Sequence, residues 1–261
     1  MRSASRSFDP NHMILLAPKV AESLANFSSI QTDPVRHRLL LGQAQRLRGR
    51  IYHEDGAIGL HHLTQDGRFV HDKDEESWQF LIMNATNRVS GCIRYVPQEH
   101  HVSFSQLGVA HSALAHSPGW GIRLRQAVEA KREEAQKRGY GYAEVGGWAL
   151  IQELRHSWEA LRITLNVYGL MKLLGGALAV TTATIRHRSA TILRKLGGHG
   201  LLSDGVELPS YYDPQYECQM EILGFDSDNP NPKYLEWIHE CQRKLRNLTV
   251  ICPGVQIQTV S

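Results

Sequence analysis

Apolar positions recur along this chain with two periods, and each change of period marks a boundary between elements. Behind Asp33-Pro34, the run VRHRLLLGQAQRLRGRIY spaces its apolar residues three and four apart. An N-cap, a proline in the first turn and that spacing predict an amphipathic helix to about Tyr52. SWQFLIM and VSGCIRYV flank the polar tetrapeptide Asn84-Ala85-Thr86-Asn87, which predicts an antiparallel hairpin. GIRLRQAVEAKREEAQKR is rich in strong helix formers and stops at Gly139-Tyr140-Gly141, giving a second helix over about 121–138. YAEVGGWALI then reads as a strand, and SWEALRITLNVYGLMKLLG as a long helix ended by paired glycines. ALAVTTAT reads as a β-branched buried strand, and HRSATILRKLGG as a short helix. VELPSYY and YECQMEILGF, joined through Asp213-Pro214, form an expected antiparallel pair, and a polar tail carries one more helix near 232–245. The fold class is α/β (α+β), with a mixed, mostly antiparallel sheet flanked by helices. The expected organisation is an N-terminal arm over 1–30, a domain over 31–225 and a helical tail over 226–261. The arm is expected to hold one short apolar helix around Met13 to Phe27.

Composition narrows the class. The chain has 261 residues, 42% hydrophobic and 21% charged, an ordinary globular profile whose core at this length needs no disulfide or structural metal. Cys92, Cys218, Cys241 and Cys252 form no C-x-x-C pair, and MRSASRSFDPNH lacks an apolar secretory core, so a reducing cytoplasm is expected. The net charge of +3 demands neither nucleic acid nor membrane. Its distribution is more informative: 36–50 holds five arginines and no acid, and 160–203 holds six basic residues and no acid. The apolar run 163–185 is broken by Lys172 and Gly175-Gly176, so helix, turn and strand explain it and no integral membrane association is expected. Phosphate-loop, dinucleotide, zincin and nucleophile-elbow motifs are missing, and none of the fourteen histidines follows a metal-site spacing. No metal and no nucleic acid are expected.

The order hairpin, strand, helix, strand, helix, antiparallel pair resembles the GNAT (acyl-CoA N-acyltransferase) superfamily. Its last-helix pattern is similar to His187-x-x-Ala190-x-x-Leu193-Arg194-x-x-x-Gly198-His199, with the Asn, Tyr and Phe positions replaced. The pyrophosphate loop is absent, since Gln152-Glu-Leu-Arg155-His-Ser157 has no glycine. Within the superfamily the chain looks most similar to the branch of acyl-homoserine-lactone synthases and long-chain N-acyl amino acid synthases. Arg48-x-x-x-Tyr52 resembles that branch's R-x-x-x-F motif, Asp72, Asp74 and Glu75 its acidic pair, and Gly91-Cys-Ile-Arg94 its G-x-x-R strand. The branch's E-x-[ST]-R strand becomes Glu144-Val-Gly-Gly147. The loss of its arginine, with no tryptophan shortly after Tyr52, argues against strict lactone formation. The resemblance implies no permanent cofactor, an acyl-carrier-protein thioester (or acyl-CoA) as donor and a small amine as acceptor. A carrier donor suits the missing loop, because its phosphopantetheine presents one phosphodiester where coenzyme A presents a pyrophosphate.

Acyl transfer needs hydrogen-bond donors where a thioester carbonyl becomes an oxyanion. Gly146 and Gly147, in mid-strand beside Trp148, permit a bulge or a close backbone approach by pantetheine; the alternative is that they relieve crowding under Trp148. Glu144 is the only acid of that strand and the candidate general base, placed by strand alternation on the face of Gly146 and Trp148, or else it is a salt-bridged glutamate. Arg94, Asp72 and Asp74 would hold the acceptor's carboxylate and amine, or form a structural ion-pair network. Arg48 and Tyr52, at helical i, i+4 spacing, would join them or simply pack. Arg188, Arg194 and Lys195 offer a basic surface to the donor's phosphate and to an acidic carrier, or are merely solvated. The turn Tyr211-Tyr212-Asp213-Pro214-x-Tyr216 would line the acceptor pocket or pack as an ordinary proline turn.

Overall fold

The structure is a computed structural model that describes residues 12–21, 24–99, 101–155, 157–186 and 188–254. In chain order its strands and α-helices are β1 (His12–Leu16), β2 (Ser29–Thr32), α1 (Pro34–Glu54), β3 (Trp78–Met83), β4 (Val89–Gln98), α2 (Trp120–Lys137), β5 (Gly141–Leu150), α3 (Trp158–Leu173), β6 (Ala177–Thr184), α4 (Ser189–Lys195), β7 (His199–Gly200), β8 (Leu202–Ser203), β9 (Val206–Glu207), β10 (Tyr211–Asp213), β11 (Cys218–Asp226), α5 (Leu235–Leu245) and β12 (Thr249–Cys252). One mixed sheet runs β10-β11-β6-β5-β4-β3-β1-β12-β2, with β7 beside β11. Most pairings are antiparallel; β5 with β6, β1 with β12 and β12 with β2 are parallel.

Local chemistry accounts for the boundaries. The Asp33 carboxylate accepts from Arg36 N–H at 2.9 Å, and Pro34 opens α1 where no N–H is needed. Asn84 Oδ1 accepts from the N–H groups of Thr86 and Arg88, closing the β3–β4 turn. Gly175 and Gly176 take φ of 101° and 96°, a reversal open to glycine that turns α3 directly into β6.

The sheet is covered on both faces. On one face α1 packs Leu40, Leu41, Ala44, Leu47 and Ile51 on Ile14, Leu16, Leu81, Cys92 and Ala149. On the same face α2 packs Leu124, Ala127 and Val128 on Tyr142, Leu178, Val180 and Met220. On the other, α3, α4 and α5 cover Met13, Leu15, Phe80, Ile93, Tyr95, Ala143, Ala179 and Phe225.

Two expected elements differ. HMILL is a strand between β3 and β12, not a helix. A strand buried on both faces reads as an unbroken apolar run, which periodicity does not separate from a short buried helix. From the stretch expected as an arm comes β1, and from the expected tail β12; the two pair in parallel. VELPSYY is not one strand: Val206–Glu207 pairs with β8, Tyr211–Asp213 pairs with β11, and Pro209, which has no N–H, lies between them.

The consequential feature is where pairing stops. β5 pairs with β6 only from Gly141–Glu144 against Ala177–Val180. Beyond that point β5 continues to Leu150 against β4 alone, while β6 continues to Thr184 against β11. Residues 145–150 and 181–184 thus face a gap between two parallel strands, and their inward backbone groups are left without a ladder.

Candidate active site

The gap lies beside a bulge. Arg94 opposes Gly146 and Cys92 opposes Ala149, so Gly147 and Trp148 together face the single residue Ile93. Gly147 takes φ of +64°, and a Cβ there would lie 3.1 Å from Arg48 Nη1 and 3.3 Å from Arg94 Cβ. The left-handed backbone favours glycine, and an added Cβ would press on both arginines packed over it. The extra residue also reverses the alternation that sequence reasoning assumed. Trp148 packs with Val145 on the α3 side, whereas Glu144 follows Tyr142 toward α2, so these two do not share a face. Tyr52, from α1, donates its hydroxyl to the Trp148 carbonyl at 3.4 Å.

Against the bulge lies a buried charge cluster. Asp74 Oδ2 accepts from Arg48 Nη2 at 2.6 Å, from Gln45 Nε2 at 3.0 Å and from His71 N–H at 3.0 Å. Its Oδ1 accepts from Arg94 Nη1 at 3.0 Å and Gln79 Nε2 at 3.3 Å. Arg48, Asp74 and Arg94 are 1%, 2% and 8% exposed. Burial by itself would raise the Asp74 pKa, but the two guanidinium groups outweigh it and hold the carboxyl well below the usual range. Burial, then the charge of Arg94, pushes His71 down to about 4, so it is neutral at pH 7. Burial also pushes Cys92 up to about 11 and keeps it a thiol. Two arginines and one aspartate therefore leave one net positive charge beside the bulge, and the buried Nε atoms of both arginines have no hydrogen-bond partner. A buried cation excess of this kind suits an anionic group on a ligand.

Glu144 sits one step down β5. Its Oε2 accepts from Gly108 N–H at 2.8 Å and Gln98 Nε2 at 3.2 Å, and its Oε1 accepts from Val109 N–H at 2.8 Å. The residue clamps the turn Gly108–His111 onto the strand. Burial raises its pKa against the pull of those two amides. Oε1 has accepted one hydrogen bond and keeps a second lone pair, so proton acceptance stays open to it.

Other expected site residues are placed elsewhere. Asp72 lies outside the cluster, its side chain 87% exposed and its Oδ1 2.9 Å from the Nδ1 of the neutral His71, which accepts from Lys73 N–H at 3.1 Å. Arg194 bridges Glu207 at 2.8 Å and Glu221 at 2.7 Å, which neutralises the middle of the α4 surface. Arg188, in the left-handed region at φ 59°, and Lys195 are exposed on that helix, and His187 lies outside the described residues. At the end of β5, Arg155 makes a bidentate pair with Asp55, both bonds 3.0 Å, tying the loop before α3 to the end of α1. Gln45 and His71 were not singled out in the sequence; the signal for Gln45 is its i, i+3, i+7 stripe with Arg48 and Tyr52, polar residues on a buried helix face. Tyr216, from the tyrosine-rich turn, is half-buried and lies close enough to Arg94 and Tyr52 for mutual charge effects. Among the described residues, no three His, Cys, Asp or Glu side chains converge as metal ligands.

No protein-family model matches the chain, and no curated protein matches it. Solved structures do. BjaI, a CoA-dependent acyl-homoserine lactone synthase solved with MTA, superposes with a TM-score of 0.51 at 15% identity, over 94% of this chain and 96% of that one. MesI, another CoA-dependent acyl-homoserine lactone synthase, gives 0.50 at 15% identity, over 89% and 95%. The fold is GNAT-like, of the acyl-homoserine lactone synthase type. FeeM, an N-acyl amino acid synthase from uncultured soil microbes, superposes at 0.47 with 12% identity, over 84% of this chain and 92% of that one, too distant to carry weight.

Proposed function

We propose that the chain is an N-acyltransferase that moves an acyl group, long-chain by preference, from an acyl-carrier-protein thioester to the amine of an amino acid or related metabolite. The observation that carries this reading is the opened, bulged β5 strand lying against a buried site of net positive charge. The freed backbone N–H groups of β5 are donors available to a thioester oxyanion, and pantetheine enters the gap as an added strand would. Arg94, nearest of the cluster to Gly146, receives the acceptor's carboxylate, with Tyr52 and Tyr216 at its sides. The acceptor amine attacks the thioester carbon, the C–S bond breaks, the carrier leaves as its thiol, and Glu144 takes the amine's proton directly or through one water. Asp74 takes no substrate ammonium in this scheme, because its oxygens already accept five hydrogen bonds. Arg188 and Lys195 are left to meet the donor's phosphate and the acidic carrier, a role in which Arg194 is largely spent.

Purified protein given acyl-carrier thioesters and a panel of amino acids should release free thiol only when an amine is present. Release without an amine identifies a thioesterase instead, and binding without release a non-catalytic module. Coenzyme A is the second reading of the donor, favoured by the CoA dependence stated for BjaI and MesI. The same assay with acyl-CoA decides between them.

A further inference from the structure

A cavity of about 650 Å³ lies between α3, α5 and the first residues of β1, with Met13, Trp158, Trp237, Cys241 and Leu248 among its walls. None of its lining residues belongs to β5 or β6, so it is distinct from the gap described above. Its volume is that of a small-molecule site, typically 300–1,000 Å³. Trp158 and Trp237 stand at its mouth in an edge-to-face pair, ring centroids 4.6 Å apart. They are 48% and 40% exposed, although indole is a side chain that folding normally covers.

Charge defines the occupant. The two cations of the lining are matched by acids: Arg162 pairs with Glu159 at 2.6 Å and Lys244 with Glu240 at 2.6 Å. Asn166 donates an amide N–H to the Arg162 carbonyl at 2.8 Å. An anion entering here would meet no net positive charge from these two pairs. What the walls offer is apolar area.

We propose that this cavity binds the aliphatic chain of a monomeric amphiphile, with its head group left at the tryptophan mouth in water. Each methylene removed from water should tighten binding about three- to fourfold until the cavity is full. The inference does not depend on acyl transfer, and its test uses no thioester. Intrinsic fluorescence is titrated with butyric, octanoic and lauric acids below their aggregation limits. Expected are a saturable shift of the emission, affinity rising with chain length in that proportion, and at least tenfold weaker binding of lauric acid to Trp158→Ala and Trp237→Ala with their melting curves intact. Protection of Cys241, the half-buried thiol of the wall, from alkylation by lauric acid is a second readout that does not rely on tryptophan. The proposal is overturned by affinity indifferent to chain length, by alanine variants that bind lauric acid as wild type does, or by an unprotected Cys241. It is equally overturned by a response to phosphatidylcholine vesicles alone, which would make the pair a membrane contact, or by a concentration-dependent dimer in light scattering that already hides both tryptophans.

Discussion

Glu144, half-buried, and Asp74, fully buried, are carboxylates beside the β5 bulge, and their surroundings push them in opposite directions. Asp74 is enclosed by two guanidinium groups and has been drawn far down in pKa; its oxygens are saturated. Glu144 is held by two backbone amides and a glutamine, burial outweighs them, and its pKa is raised. One carboxylate is an anchor whose charge is consumed by the fold. The other is held closer to its neutral form than an ordinary glutamate. Burial and partner type therefore assign different work to two acids that look alike in the sequence.

The sharpest break of that comparison is Glu144→Gln, which keeps the shape but removes the base and leaves one of the two backbone N–H groups, Gly108 or Val109, facing an NH2 in place of an oxygen. We expect kcat to fall about 10²–10⁴-fold with little change in acceptor KM. The wild-type rate should rise with pH through the raised pKa of Glu144, whereas the variant, its amine deprotonated only by water, should recover at higher pH. A loss under threefold would make Glu144 purely a clamp on the Gly108–His111 turn. Asp74→Asn tests the other side through stability. Two arginines would be left facing each other without their counter-charge, at a cost of roughly 3–5 kcal/mol in denaturant unfolding. Because the folded pKa of Asp74 is depressed, its contribution is complete above the unfolded value of about 3.9 and is lost as pH falls toward the folded pKa. The variant should lack that acid-limb slope; an unchanged slope would mean that Asp74 is not the titrating anchor.

Gly147→Ala asks whether the cluster and the bulge are one device. A side chain at φ +64° costs roughly 1–2 kcal/mol, and the new methyl would press on Arg48 Nη1. If the arginine and the bulge are coupled, Arg48→Lys and Gly147→Ala should be non-additive when combined. Additive effects would separate backbone strain from the arginine packing.

Much of the fold was legible because α1, α2, α3 and the β3–β4 hairpin each carry periodicity and end signals within a few residues. Gly146-Gly147 allowed for a bulge, one of the readings that two glycines in mid-strand leave open, and the register against β4 shifts there. The sidedness of β5 was not legible, because the same bulge reverses alternation between Glu144 and Trp148. Nor was the choice between Asp72 and Asp74, which is made by a tight turn with Asp74 N–H donating to the His71 carbonyl at 2.9 Å. β1 and β12 escaped notice for another reason: their parallel pairing joins Leu15 to Val250, across almost the whole chain, and no local pattern encodes such a partner. The acids that neutralise Arg194 lie 13 and 27 residues further on, so an acid-free segment of sequence became a mixed-charge surface in space.

That last difference sets the smallest effect. Arg194 is 40% exposed at its side chain and shares Glu207 and Glu221, themselves 51% and 21% exposed. Solvent-screened pairs of this kind typically contribute 0.2–1 kcal/mol, so Arg194→Gln should lower stability by less than about 1 kcal/mol, a contrast with the buried Arg48–Asp74 pair made from the same chemistry. Its effect on a carrier donor should be correspondingly modest, because removing Arg194 also uncovers two acids and shifts the local charge without deleting an open cation. Lys195→Glu reverses an exposed charge on the same helix, and its apparent KM for acyl-carrier protein should rise more than that of Arg194→Gln. The gap between the two variants should narrow with added salt, since steering by exposed charges is screened beyond roughly 8–10 Å at physiological ionic strength. Equal KM values at low salt would place the carrier's contact surface away from α4.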